Sequence, residues 1–480
     1  MHKRLKYKIL LLGSLGLMAS AAEAETLRDA LAKAYSSNPT LTGARAGQRA
    51  NDENVPIAES RGLPTLDLSG GYTENVQTSS SASPARQVAG RLNFAVPVYQ
   101  GGAVKNAVRA ADSRVDAGQA NLRGTEASVF SQVVAAYMDV LRDEAIVGLN
   151  RSQVKVLKTN LEATRDRFEV GDLTRTDIAQ SESRLALAQS QLEGAESNLI
   201  ASRERYVQLV GDEPGDLQQP PPLPNLPETA DVAVDKALAN NPDLIAAKKN
   251  QDAARYDVGA AKASRLPKVS LVADKSYANF LNSLQSFIPG FNTSQTSENA
   301  TAGVQLTVPL YHGGSPSAQV RQAQARSSQA IEQMIATERS IVAQTRSAFA
   351  SLRASNAVIV SSEAAVAASA LSLEGVRAEN TVGNRSILDI LNAEQEYLNA
   401  QVQLVSARRN AYVAGFTLLA AMGQAEARDL GLDGGALYDP ETNYKRVRNS
   451  IWDWDSDPTP KPVATRTVDT KAQNPSVKGE

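Results

Sequence analysis

Chemistry needs nucleophiles, bases or metal ligands at workable spacing, and this 480-residue sequence offers few of them. It has no cysteine, which removes disulfides, thiolate metal sites and cysteine nucleophiles. Of its two histidines, His2 falls in a basic N-terminal leader, which leaves His312 as the one histidine of the mature chain. Clusters of imidazole ligands are therefore excluded, and a histidine-based triad would have to be built on that residue alone. His312 lies in a strand-to-helix turn, where a surface role fits better than a proton relay. No nucleophile–base or metal constellation appears, so the expectation is a protein that is not an enzyme and holds no cofactor and no metal. With 50 Lys+Arg against 52 Asp+Glu the formal charge is -2, and no basic excess points to nucleic acid.

The leader sets the destination. Met1 to Lys8 is basic, Ile9 to Ala19 is largely apolar, and Ala22-Glu23-Ala24 places small residues where a signal peptidase reads them. Residues 1–24 are expected to be a cleaved signal peptide. The apolar run is too short to span the ~30 Å hydrocarbon core. No later segment approaches 18 uninterrupted apolar residues, so no transmembrane helix is expected. Hydrophobic residues make up 42% but aromatics only 5%, a small, Ala-rich apolar content that suits helix packing.

The chain is written twice. Asn38-Pro39 recurs as Asn241-Pro242 and Leu63-Pro64 as Leu266-Pro267, both at an offset of 203. Val96-Pro97-Val98-Tyr99-Gln100-Gly101-Gly102 recurs as Val308-Pro309-Leu310-Tyr311-His312-Gly313-Gly314 at an offset of 212. That offset then holds through Val170-Gly171 and Val382-Gly383, Asp177 and Asp389, and Gly211 and Gly423. Matched proline and glycine positions are what two unrelated coiled-coil segments would lack. The expected organisation is a first repeat at 25–211, a Pro-rich linker at 212–229 and a second repeat at 230–424. A C-terminal segment at 425–454 follows, then a disordered polar tail at 455–480, whose start Trp452 and Trp454 are expected to pin against the body.

Each repeat has one internal order. An Ala-rich helical stretch, Thr26 to Arg61 or Ala230 to Arg265, breaks at its Asn-Pro. Two alternating runs then read as strands: Thr65–Ser69 and Arg91–Val96, then Lys268–Leu271 and Val304–Val308. Pro97 and Pro309 are expected to end the ladders, having no N–H to donate. The pairs Gly101-Gly102 and Gly313-Gly314 allow a sharp exit. From Gly102 to Val170 and from Gly314 to Val382 the pattern is helical without a break, enough for rods about 100 Å long. A Val-Gly turn and a second helix complete each hairpin. Coiled-coil packing of long hairpins is the reading left once the many charges exclude a membrane span.

The strands raise a question of assembly. Leu66 and Leu68 oppose Asp67 and Ser69, and Val304, Leu306 and Val308 oppose Gln305 and Thr307. One apolar and one polar face suits a membrane barrel with a wet lumen, and equally a soluble sheet on a core. Four strands cannot close a barrel, and lipid tolerates no open edge. If the strands sit in a membrane, two, three or four chains must share one barrel. Tyr72, Phe94, Tyr99, Tyr277 and Tyr311 are candidates for its interfacial girdles.

Signal peptide, duplicated helix–strand-pair–hairpin order, the two Pro-Φ-Tyr-x-Gly-Gly turns and the tips Arg167–Thr174 and Asn380–Asp389 together resemble the TolC-like outer-membrane efflux and type I secretion channel family. The resemblance covers about residues 25 to 425. It implies an α+β membrane protein and a homotrimer: long helical hairpins form a periplasmic tunnel, and four strands per chain contribute to a shared 12-stranded transmembrane β-barrel. It implies a passive exit duct in the outer membrane of a Gram-negative cell, working with a periplasmic adaptor and an inner-membrane ABC or proton-driven transporter. The alternative from the residues alone is a periplasmic coiled-coil scaffold or adaptor with a soluble β domain.

The resemblance also implies a gate. Asp389 matches a constriction aspartate, and three copies would place three carboxylates around one axis, a ring that favours cations. Read without the resemblance, Asp389 is a solvated residue in a helix first turn, where negative charge is favourable. A second family aspartate, one turn on, is matched by Asn392, which should halve the ring charge. Closed-state links map to Arg385 with Thr176 and to Asp177 with Asn380, whose side chain is too short for the family contact. Gly171, Leu173, Thr174, Gly383 and Ser386 match adaptor-contacting positions, although turn formation alone accounts for the glycines.

Overall fold

A computed structural model describes residues 25–77, 83–284, 292–432 and 437–477. The signal peptide expected at 1–24 lies outside these residues, as do parts of both strand-connecting loops.

Three helices open the chain: α1 (Leu27–Ser37), α2 (Pro39–Asp52) and α3 (Asn54–Ser60). The break between α1 and α2 falls at Asn38-Pro39 as expected. Asn38 caps α2 by accepting from the Thr40 amide at 2.9 Å, with proline at the first helical position. The break at Glu53 was not anticipated. Pro56 lies in the first turn of α3, where its missing N–H is tolerated but a continuous helix would lose a bond. The second repeat lacks that proline, and after α6 (Ala230–Asn240) its α7 (Pro242–Lys262) runs on unbroken.

Strands β1 (Thr65–Glu74), β2 (Arg86–Tyr99), β3 (Lys268–Asn279) and β4 (Thr296–Thr307) form one antiparallel sheet in chain order. Both repeats thus feed a single sheet, joined through β2 and β3. The register sets Leu66, Phe94, Ala273 and Ala302 in one row and Leu68, Leu92, Lys275 and Ala300 in the next on that face. The opposite face carries Asp67, Asn93, Asp274 and Thr301, with Arg91 bonded to Asp274 at 2.5 Å. β1 and β4 have one unpaired side each. Pro97 does not end its ladder: β2 passes it, pairs it with Ser270 and shifts register before Tyr99. The shift is a bulge, a place where a missing donor is accommodated. Pro309 does follow the end of its strand.

The rods are α4 (Ala103–Glu169) and α8 (Ser315–Thr381), each 67 residues long, so about 100 Å. They fold back on α5 (Arg175–Val210) and α9 (Ile387–Ala421). Cross-hairpin ion pairs such as Arg151–Glu196 and Arg203–Glu144, both 2.7 Å, lie along the first hairpin. The main core sits midway, where Phe130, Tyr137, Tyr206 and Phe416 are fully buried. There the repeat shows in side chains: Asn38 Nδ2 donates to the Leu209 carbonyl at 2.8 Å, and Asn241 Nδ2 to that of Ala421 at 2.9 Å. At the end of α9, a Cβ on Gly423 would sit 2.5 Å from the Asn240 carbonyl oxygen, so the hairpin end approaches the α6–α7 junction as only glycine allows.

The linker crosses this core, where the Tyr137 hydroxyl donates to the Gln218 carbonyl at 2.6 Å. A last helix, α10 (Pro440–Val447), packs on α2. Beyond it the chain has neither helix nor strand as far as Val477, yet it lies on the body: the Gln473 amide donates to Glu204 at 3.0 Å and Arg203 to the Asn474 carbonyl at 2.6 Å. Trp452 and Trp454 do not pin it, since both indoles are exposed. One 18-residue window in α8 reaches a mean hydropathy of 1.4, enough by length and composition to cross a membrane. Counting uninterrupted apolar residues missed it because serines punctuate the run.

Candidate functional site

The ends of the two hairpins, farthest from the sheet, hold every residue proposed for the gate. α4 ends at Glu169, and Gly171 turns the chain at φ +85° while the Asp172 amide donates back to the Arg167 carbonyl at 2.9 Å. Gly383 does the same at φ +81°, with the Asn384 amide on the Glu379 carbonyl at 3.0 Å. These are left-handed C-caps, which glycine adopts without strain.

Each return helix opens with a capping box. Asp177 accepts from the Thr174 amide and hydroxyl, both at 2.8 Å, and Asp389 from the Ser386 amide at 2.9 Å and hydroxyl at 2.8 Å. The Ser386 hydroxyl and then its amide hold the exposed Asp389 carboxyl below the usual carboxylate range. The Thr174 amide and then its hydroxyl do the same for Asp177. Thr174 and Ser386 are therefore helix caps. Asp389 is also charged at neutral pH and open to solvent, so capping and gating are compatible in one carboxylate.

Within one chain the fork of Arg385 goes to Glu379 at 2.7 Å, and Asn380 Nδ2 goes to the Arg385 carbonyl at 2.7 Å. Both bonds fold the second tip on itself; Thr176 and Asp177 lie on the other hairpin. Asn392 is not idle: its Oδ1 accepts from Arg184 of α5 at 2.6 Å, which ties the hairpins together.

A second tie was not foreseen. Glu394, only 2% exposed, accepts from Asn160 of α4 at 3.0 Å and from Arg377 of α8 at 3.0 Å. One buried carboxylate on α9 thus joins both hairpins. Its signal in the sequence was faint, a glutamate at a position that faces inward on α9. Val170 and Val382 were read from the sequence as parts of the tip turns and not as contact positions. Both are exposed at the tips, whereas Leu173 is half-buried. Their clue was repetition, since each precedes its tip glycine at the same offset.

At the opposite end, Gly101, Gly102, Gly313 and Gly314 all have positive φ. Gly101 is also sterically required, since its Cβ would sit 2.8 Å from that of Leu266. Among the described residues no group of three or more His, Asp or Glu side chains is placed to hold a metal ion.

A family model described as outer membrane efflux protein matches residues 30–212 and 233–424. The outer membrane efflux protein BepC of Brucella suis is 34% identical over 449 residues, 93% of this chain and 96% of the relative. The outer membrane protein TolC of Escherichia coli is 26% identical over 481 residues, 96% and 97% of the two chains. Among solved structures, the Campylobacter jejuni CmeC outer membrane channel superposes with a TM-score of 0.73 at 18% identity, over 88% of this chain and 89% of that one. The VceC outer membrane protein of Vibrio cholerae gives 0.70 at 23%, over 83% and 96%. At those identities the structures speak for the fold, and the sequence matches across both halves carry the kinship: the chain belongs to the outer membrane efflux protein family.

Proposed function

We propose that the chain is one protomer of a homotrimeric outer-membrane duct, a passive exit for efflux or type I secretion. The observation that carries this is the sheet. Its four strands present Leu66, Leu68, Phe94, Leu271, Val304 and Leu306 on one face, all exposed or half-buried, and leave β1 and β4 each with an open side. A soluble sheet would bury that face against a core. Three copies joined edge to edge supply twelve strands, close the ladder and turn Asp67, Arg91, Asn93 and Asp274 toward water. The exposed apolar stretch of α8 suits the same assembly, as a seam between copies. The oligomer then carries three Asp389 carboxylates at the narrow end, where they favour cations.

The hairpin tips, with Val170, Gly171, Leu173, Val382 and Gly383, meet a periplasmic adaptor that couples the duct to an inner-membrane ABC or proton-driven transporter. Relatives named for efflux (BepC) and for protease secretion (PrtF of Dickeya chrysanthemi, 25% identical) support both cargo classes. Export to the periplasm follows the signal sequence ending at Ala24, and the duct carries no cofactor and catalyses no reaction.

Single-channel recording of purified oligomer in planar bilayers, with and without millimolar divalent cations, tests the proposal. Discrete cation-selective steps blocked from one side are expected. Failure of folded oligomer to insert would return the strands to a soluble sheet.

A further inference from the structure

The C-terminal segment makes an excursion that none of the functions above uses. It starts at the middle of the molecule, where the Tyr438 amide donates to the Tyr35 hydroxyl at 2.8 Å and Arg45 lies over the Tyr35 and Tyr438 rings. It then climbs beside α2. Asn443 donates to Asp52 at 2.8 Å, at the top of α2, and the Tyr444 hydroxyl donates to Asp112 at 2.7 Å. Asp112 is about 14 Å along α4 from the end of the sheet. Beyond Val447, which is buried, the chain turns over, and the charges of Arg446, Asp455 and Asp457 fall on Glu53 at the foot of α3. It descends again to Gly211 and along α5, as far as Pro475, whose carbonyl accepts from Arg151 at 3.1 Å.

The summit of this excursion is closed and carries three exposed apolar side chains among acidic ones. Arg446 bonds Asp457 across its base at 3.1 Å, and the Asp455 amide donates to the Trp452 carbonyl at 3.2 Å. Outward from it stand Ile451, Trp452 and Trp454, exposed by 78%, 72% and 86%. Two exposed indoles two residues apart are uncommon on a surface in water. Glu53 immediately precedes α3, and from there the exposed side chains Ile57 and Leu63 lead along the chain to the base of the sheet, where Tyr99, Leu266, Leu310 and Tyr311 are also exposed. Indoles favour the headgroup zone, with an apolar body and a polar N–H. The loop's charge is acidic, through Asp453 and Asp455, while Arg446 is paired and Arg448 lies over the Tyr444 ring. An anionic surface would repel it.

We propose that the loop from Ser450 to Asp455 is a membrane-interface anchor, which sets Ile451, Trp452 and Trp454 into the headgroups of a zwitterionic phospholipid leaflet at the base of the sheet. This rests on the outer-membrane duct reading. Threefold assembly would ring the barrel base with nine such side chains, fixing the depth at which the duct sits.

The chain has only two tryptophans, both in this loop, so native fluorescence reports on it without a label. The oligomer is reconstituted into phosphatidylcholine vesicles whose lipids are brominated near the headgroup end of the acyl chain. Emission should fall at least twofold against unbrominated vesicles, and iodide in the water should quench several-fold less than in the urea-unfolded chain. Replacing a third of the lipid with phosphatidylglycerol should weaken the bromine quenching; strengthening would overturn the zwitterionic preference. A triple variant, Trp452→Phe, Trp454→Phe and Tyr72→Trp, moves the reporter onto the sheet. If that variant is quenched by bromine and the native loop is not, the anchor fails and the barrel stands. If neither is quenched, the duct reading fails and the anchor with it. Indoles shielded from iodide but untouched by bromine would lie against another copy of the chain, which overturns the anchor.

Discussion

Asp389 and Asp177 stand at equivalent places in the two repeats, and each commits one carboxylate oxygen to its own helix cap. A carboxyl lowered in the folded chain contributes stability above its unfolded value near 3.8, and that contribution is lost as pH falls through the lower folded value. The charge follows the same course. Cation preference in single-channel recordings should therefore be flat from pH 7 to pH 5 and fade only in stronger acid. A midpoint near pH 6 would show that the three carboxylates raise one another more than Ser386 lowers them. Asp389→Asn keeps a polar cap and removes the charge, so it should reduce cation preference and divalent block with little change in melting. Glu394 belongs to a different class, because it is buried and joins both hairpins. Hydrogen bonds to a charged group contribute about 1.5–3 kcal/mol, so Glu394→Ala should destabilise by about 2 kcal/mol. It should also raise the resting conductance; unchanged melting and conductance together would remove it from the tie.

At the scale of elements, the legible features were those that periodicity and breakers mark. The 67-residue rods were visible because nothing interrupts them between paired glycines and a Val-Gly turn. The strands were found only where apolar and polar residues alternate. β1 continues five residues past Ser69 through Gly70 and Gly71, which pair as backbone but carry no side-chain pattern. The α2–α3 break and the bulge at Pro97 were missed for the opposite reason, since proline effects depend on where a donor is needed. The tie through Glu394 could not be read at all, because it depends on which faces of α4, α8 and α9 meet. Two glycines test how the turns are held. Gly383 has positive φ and open space around it, so Gly383→Ala should cost about 1 kcal/mol from the backbone alone. Gly423 combines positive φ with a carbonyl in the way, so Gly423→Ala should lower the melting temperature more.

For the molecule as a whole, the two faces of the sheet decide between duct and scaffold. Phe94 and Asn93 are consecutive on β2 and so lie on opposite faces, and the row of Phe94 is apolar throughout, with Leu66, Ala273 and Ala302. An arginine facing the hydrocarbon midplane costs about 2–4 kcal/mol, whereas one facing the lumen is solvated. Phe94→Arg should abolish recovery in the outer-membrane fraction, and Asn93→Arg should leave it intact while shifting ion selectivity. Equal tolerance of both would mean that neither face meets lipid. Fold class and function class were accessible from the sequence through the repeat and its turns. The joining of both repeats into one sheet was not, since nothing in a strand's own residues names its neighbour.

The hooks at Asn38 and Asn241 grip the hairpins beside the central core, and everything beyond that point is a lever arm. From Tyr137 to the tip at Val170 is about 50 Å of helix. A tilt of about 10° at such a fulcrum would carry the tip by about 9 Å, nearly the width of a helix. The bonds from Asn160 and Arg377 to Glu394 act far out on that arm, where a small force resists a large torque. A handful of ordinary hydrogen bonds at the free end can therefore latch rods of this length, and a partner pulling there can release them with equally modest effort.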